Sequence, residues 1–165
     1  MGKGLAGRTV WGCSFAAVLL CILMYSLVPT VMAADHTITF VNNCNETIWP
    51  GEGGPHPTGW EMAAGATVVK TIPVGTAGLT FWGRTGCTFN ESGKCPTQGV
   101  DCCKSGGCIS SADTTYFGLE CASGGQPPVA LFEPTFDANS PHGPLDYFDV
   151  SLIDGFSHVA IQVTP

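Results

Sequence analysis

The chain has 165 residues with 13 acidic and six basic side chains, and its formal net charge is −7. Two of the basic residues, Lys3 and Arg8, lie among the first 33 residues. Residues 34–165 therefore hold four basic and all 13 acidic side chains, a net charge of −9. A surface of this sign repels nucleic acids and anionic membranes. We expect no nucleic-acid partner, and a neutral carbohydrate or a cationic partner fits the charge better.

Residues 1–33 have the pattern of a cleaved secretory signal peptide. Lys3 and Arg8 precede the almost uninterrupted apolar run 10–27, Pro29 ends that run, and the tripeptide VMA that follows supplies a small-residue cleavage pattern. An uncleaved membrane anchor is the alternative, because the apolar run approaches the length of a bilayer span. The rest of the chain has no second run of that length. We therefore predict a secreted, extracellular protein with no membrane span in the mature chain.

Residues 34–165 are enough for one domain, and their pattern is that of short strands. Alternating or β-branched runs bounded by turn residues predict strands at residues 36–43, 46–49, 66–72, 79–84, 128–136, 145–153 and 159–163. Residues 50–59 are rich in Gly and Pro and predict a loop. Phe81 and Trp82 are adjacent in a strand, so they point to opposite faces of a sheet. No stretch has a convincing helical period, and the pattern predicts a β-sandwich or a β-barrel.

Seven cysteines follow residue 33, and six of them lie in the Gly- and Ser-rich segment 87–125. Dense cysteine in an exported chain predicts a disulfide framework, and the odd number leaves one thiol without a partner. Zinc ligation by the four cysteines of residues 95–108 is the alternative, but exported thiols more often oxidise. We therefore expect no metal and no cofactor. Sequons at Asn45 and Asn90 predict two glycosylation sites.

Three stretches of the sequence carry a family resemblance. The first comprises residues 38–44 (ITFVNNC) and 47–50 (TIWP). The second is residues 81–87 (FWGRTGC), which lead into the cysteine-rich loop. The third comprises residues 124–133 (GGQPPVALFE) and 146–156 (DYFDVSLIDGF). Together and in this order they resemble thaumatin-like proteins, the plant pathogenesis-related class.

The resemblance implies a flattened antiparallel β-sandwich with disulfide-rich loops packed against it, located in the extracellular space or the cell wall. It also implies a longer chain, so the thaumatin-like domain of residues 34–165 would be incomplete at its C-terminus. Cys44 would then be unpaired, because its partner in the family would lie beyond residue 165. We expect a monomer, with a dimer linked through Cys44 as the alternative.

The resemblance also implies a pairing of the remaining six cysteines. The family pattern joins Cys87 to Cys95, and Cys121 stands where the family's loop-closing cysteine stands. The predicted bridges are Cys87–Cys95, Cys102–Cys121 and Cys103–Cys108. Because Cys102 and Cys103 are adjacent, an exchanged pairing, Cys102–Cys108 with Cys103–Cys121, stays open.

Members of the family have an acidic cleft between the sandwich and the loops. Carried over by position, the resemblance places its glutamate at Glu133 and two of its aspartates at Asp149 and Asp154, while Thr80 occupies its arginine position. Ionised carboxylates accept hydrogen bonds from sugar hydroxyls. Trp60, on the Gly- and Pro-rich loop, is the predicted aromatic platform for a sugar. An ordinary turn or strand-edge role for the aspartates is the alternative.

The function implied by the resemblance is a secreted, antifungal defence protein that binds β-1,3-glucan, or another polysaccharide, of microbial cell walls. A weak endo-β-1,3-glucanase is the alternative from another class. In that enzyme Glu133, with no cation beside it, would donate the proton and Asp149 would be the ionised partner. An inactive fragment is the third hypothesis. We favour binding over hydrolysis.

Overall fold

The computed structural model describes residues 34–97, 102–108, 118–121, 124–138, 145–156 and 158–164. These residues form seven strands: β1 (His36–Val41), β2 (Gly51–Gly53), β3 (Thr58–Gly59), β4 (Thr67–Ile72), β5 (Thr80–Trp82), β6 (Leu131–Ala138) and β7 (Leu145–Ser151). Every strand pair is antiparallel, so the predicted mostly-β, antiparallel fold is confirmed. The described residues include no helix long and apolar enough to cross a membrane. The predicted signal peptide, residues 1–33, lies outside the described residues.

The strands form two sheets. β1 and β4 pair along six residues in the smaller sheet, and the larger sheet has the order β3-β2-β5-β6-β7. Because side chains alternate along a strand, β1 presents Ile38 and Phe40 on one face. These two residues pack against Leu79 and Phe81, which are buried, and against Phe132. An apolar core therefore lies between the two sheets.

A second core lies on the opposite face of the larger sheet, around Trp82. The Trp82 side chain is 2% exposed and packs against Val129 and the disulfide Cys108–Cys121. Its indole Nε1 donates a hydrogen bond to the Gly106 carbonyl at 2.8 Å. A Cβ atom at Gly51, in β2, would lie 2.5 Å from the indole ring, so this strand needs glycine at that position. Phe81 and Trp82 thus serve two different cores, and the disulfide-bonded loops cover the second.

Five of the seven predicted strands form, and three other predictions of secondary structure are wrong. Residues 46–49 do not form a strand, since Ile48 makes only isolated bridges to Met62 and Thr85. The predicted loop 50–59 contains β2 and β3, which the glycine content concealed. Residues 159–163 form no strand in the described structure. Alternation alone therefore does not decide which segments form strands, because residues 159–163 also alternate.

The structure corrects the disulfide pairing. The bridges are Cys87–Cys103, Cys95–Cys102 and Cys108–Cys121, with Cα separations of 3.8, 5.2 and 5.4 Å. The predicted bridges Cys87–Cys95, Cys102–Cys121 and Cys103–Cys108 are therefore wrong, and so is the exchanged pairing. The zinc alternative is wrong as well, because all four cysteines that it requires are oxidised. Cys44 is a free thiol.

Backbone hydrogen bonds explain the observed pairing. The Thr88 N–H donates to the Cys102 carbonyl at 2.9 Å, and the Lys104 N–H donates to the Thr85 carbonyl at 2.8 Å. Residues 85–88 therefore run antiparallel beside residues 102–105. This register puts Cys87 opposite Cys103 and leaves Cys102 for Cys95. The antiparallel register of the backbone, and not the spacing of the cysteines, therefore decides whether Cys102 or Cys103 bonds to Cys87.

Candidate carbohydrate-binding face

The two predicted carboxylates Glu133 and Asp149 lie directly opposite each other on β6 and β7. Residues so paired have Cβ atoms about 4.5–5.5 Å apart. Glu133 is half-buried and Asp149 is exposed. Neither carboxylate has a hydrogen bond or an ion pair with another residue that the structure describes. The pair is therefore available to accept hydrogen bonds from a ligand.

Glu133 and Asp149 lie on the face of the larger sheet against which the disulfide-bonded loops pack. Leu131 packs against the Trp82 core, so alternate residues of β6, including Glu133, lie on that face. Phe132, in contrast, packs toward β1 and β4. Phe81 is the partner of Phe132, which places Thr80 opposite Glu133 in the same register. Thr80, Glu133 and Asp149 therefore form one row across three strands.

Asp154 lies farther along the sheet. It belongs to the turn after β7, where the Gly155 N–H donates to the Leu152 carbonyl at 3.1 Å. Its own carbonyl accepts from the Val129 N–H at 3.1 Å. Val129 precedes Glu133 by four residues, which is about 13 Å of extended chain. The structure therefore brings two of the three predicted acidic residues together and places the third at a distance.

The structure does not place the half-buried Trp60 beside the predicted carboxylates. Its ring packs edge-on against Phe40, with 5.1 Å between ring centroids, and the Lys70 ammonium lies 4.5 Å from its centroid. Trp60 thus belongs to the core between the two sheets, on the face opposite Glu133. The Gly- and Pro-rich composition around Trp60 predicted an exposed loop, whereas that segment forms β2 and β3 and carries the ring inward.

The buried ion pair between Glu52 and Lys70 went undetected in the sequence. Glu52 is 4% exposed, and Lys70 joins it across the gap between β2 and β4 while covering the Trp60 ring. The sequence of β4 did indicate that Lys70 points inward. It lies two residues from both Val68 and Ile72, whose side chains face inward. The pair connects the two sheets and lies away from the carboxylates of the candidate face.

Arg84 is the second residue whose role the sequence did not reveal. Its side chain is 0% exposed and lies between the larger sheet and the loops. Its guanidinium donates to the carbonyls of Trp49 (2.7 Å), Pro50 (3.2 Å), Gly118 (2.9 Å) and Leu119 (2.6 Å), and to Cys108 Sγ (3.4 Å). A guanidinium has five N–H donors, and these acceptors can use all of them. Arg84 therefore fixes the loops to the sheet that carries the candidate face.

The two predicted glycosylation sites lie on the surface. Asn45 and Asn90 are both exposed. The Asn90 side-chain carbonyl accepts hydrogen bonds from the Ser92 N–H at 3.0 Å, the Ser92 hydroxyl at 2.8 Å and the Lys94 N–H at 3.0 Å. Exposure of both asparagines leaves room for a glycan, and their modification stays a prediction.

Comparison with known proteins gives concordant matches. The sequence model of the Thaumatin family matches residues 42–165. Pathogenesis-related protein 1A/1B of Hordeum vulgare is 39% identical over 145 residues, which cover 87% of this chain and 71% of that protein. Pathogenesis-related protein 5 of Arabidopsis thaliana is 39% identical over 140 residues, which cover 82% of this chain and 50% of that protein.

The similarity extends to solved structures, one of which is described here. It is that of a thaumatin-like xylanase inhibitor, with a TM-score of 0.52 and 26% identity, and the match covers 72% of this chain and 69% of that chain. The chain thus spans between about half and 71% of the lengths of the relatives named here.

Proposed function

This chain belongs to the thaumatin family, and from that premise we propose that it is a secreted defence protein that binds β-1,3-glucan of microbial cell walls through Glu133 and Asp149. Relatives named pathogenesis-related proteins support the defence role. The observation that carries the binding proposal is the cross-strand pair of carboxylates, neither of which bonds to another described residue.

The charge of the protein favours a neutral polymer as the ligand. With a net charge of −9 after residue 33, the protein repels acidic polysaccharides, whereas the hydroxyls of a neutral glucan can donate to both carboxylates. Thr80 adds a hydroxyl to the same row. Asp154 would contact a glucan chain farther along, because its carbonyl bonds to Val129, which precedes Glu133 by about 13 Å of extended chain. A polymer longer than one sugar unit is therefore the proposed ligand.

Converting both carboxylates to amides should weaken retention on insoluble β-1,3-glucan about tenfold. A hydrogen bond to a charged group contributes about 1.5–3 kcal/mol, and 1.4 kcal/mol corresponds to a factor of ten in affinity. The measurement is a sedimentation assay with the Glu133→Gln, Asp149→Asn double variant. The matched control is Glu46→Gln, Glu120→Gln, which changes the net charge equally at two exposed positions. Equal retention of the two folded variants would contradict the carboxylate assignment.

Hydrolysis of the glucan is the second candidate function, and the same assay tests it. The cross-strand pairing of Glu133 and Asp149 favours it, because it allows two carboxyl groups to lie at the separation of about 5–5.5 Å that retaining glycosidases use. Such an enzyme would release reducing ends into the supernatant, and the Glu133→Gln variant would release none. Retention without released reducing ends, which we expect, supports binding alone. No retention and no release would support the hypothesis of an inactive fragment.

A further inference from the structure

Two adjacent aromatic residues of β7 are exposed to nearly the same degree on opposite faces of the sheet. Tyr147 is 52% exposed and Phe148 is 50% exposed. Phe148 lies near Phe132, with 6.1 Å between ring centroids, on the face that is turned toward β1. Tyr147 is paired with Thr135 and therefore lies on the other face, together with the carboxylates. The carboxylate pair thus has an exposed aromatic neighbour on its own face.

The spacing of these groups suits a sugar chain. Tyr147 precedes Asp149 by two residues, which is about 7 Å along a strand. A pyranose ring presents hydroxyls at its edge and C–H groups on its faces, so carboxylates can hold the edge and an aromatic ring can cover a face. A tyrosine supplies a rigid, amphipathic surface with little conformational entropy to lose. Trp60 cannot supply that surface, because it packs in the core on the other side of the sheet.

We infer that Tyr147 is the aromatic platform of the candidate face and that it recognises a neutral polysaccharide by stacking on a sugar ring next to the unit held by Glu133 and Asp149. The inference rests on the proposed function and adds a residue to it that determines specificity. An acidic polymer is disfavoured by the charge of the protein. An uncharged polymer offers both the hydroxyls and the apolar ring faces that this row of residues can bind.

The adjacent phenylalanine gives the test its matched control. Tyr147→Ala should weaken retention on insoluble β-1,3-glucan about fivefold, because it removes the ring that covers the apolar face of the sugar. Tyr147→Phe should keep most of the retention, because stacking needs the ring and not the hydroxyl. Phe148→Ala removes an equally exposed ring from the opposite face and should leave retention unchanged. Each variant is compared with the wild type by near-ultraviolet circular dichroism to establish that it is folded.

Insoluble xylan, assayed in parallel, separates the inference from the proposed function. If the wild type and the Tyr147→Ala variant are retained equally on glucan, the inference is wrong and the proposed function stands. If the wild type is retained on xylan but not on glucan, and Tyr147→Ala abolishes that retention, the inference stands and the glucan assignment is wrong. No retention of the wild type on either polysaccharide would overturn both. A loss with Phe148→Ala as large as that with Tyr147→Ala would also overturn the inference.

Discussion

Replacing Arg84 with lysine is expected to lower the free energy of unfolding by about 3 kcal/mol. The guanidinium is fully buried and donates to four carbonyls and one sulfur. Lysine keeps the charge but has only three donors on a single nitrogen, so at least two of the five acceptors lose their donor. A buried polar group left without a partner costs about 1–3 kcal/mol. Because lysine and arginine carry the same charge, the loss of stability would report the number and geometry of the guanidinium donors.

Urea unfolding followed by tryptophan fluorescence measures this change. Arg84→Met should be less stable than Arg84→Lys, because it removes all five donors of the side chain together with its charge. The matched control is Lys104→Met, which removes a charge from an exposed side chain and should change the stability by less than about 0.5 kcal/mol. A folded Arg84→Lys protein as stable as this control would contradict the role of Arg84 in holding the loops.

The positions of β1 and β4 followed from the sequence, because both segments are rich in β-branched residues and contain no glycine. β1 alternates Ile38 and Phe40 with threonines, and these two residues point inward as the pattern predicts, whereas in β4 the charged Lys70 points inward and Val69 points outward. β2 is the tripeptide Gly51–Gly53, which no propensity scale would assign to a strand. It forms because Gly51 lets the Trp82 ring approach β2 and because Lys70 compensates the buried Glu52. Both causes are tertiary contacts, and the local sequence does not contain them.

The candidate face followed from the sequence only in part. Glu133 and Asp149 were identified by their positions in the motifs that resemble the family. The pairing of β6 with β7 then places the two residues opposite each other. The same pattern also selected Asp154, but the turn after β7 carries that residue along the strand direction and away from the pair. Trp60 was misplaced because loop composition gives no information about which way a ring points. Tyr147 is two residues from Asp149 in β7, so the alternation of side chains places both on one face. The sequence did not indicate that this face is exposed.

Removing the bridge Cys108–Cys121 is expected to cost about 4 kcal/mol, whereas removing Cys95–Cys102 in the same way should cost about 2 kcal/mol. Each bridge is removed by changing both cysteines to alanine, so that no new thiol is left. The first bridge closes the longer loop, with a sequence separation of 13 against 7, but loop length accounts for only about 0.5 kcal/mol of the difference. The remainder comes from burial: Cys108 and Cys121 are 3% and 1% exposed beside Trp82, and their loss leaves a cavity in that core.

Counting thiols in the same two variants, each expressed as residues 34–165, tests the pairing itself. With the bridges of the structure, each double variant keeps two intact disulfides, and Cys44 is the one thiol that should react under denaturing conditions. With the pairing implied by the family resemblance, the Cys95→Ala, Cys102→Ala variant would also release Cys87 and Cys121. Three reactive thiols in that variant would therefore overturn the antiparallel register of residues 85–88 and 102–105. One reactive thiol, together with the larger loss of stability for Cys108–Cys121, would establish that the backbone register sets the pairing and that this bridge belongs to the core around Trp82.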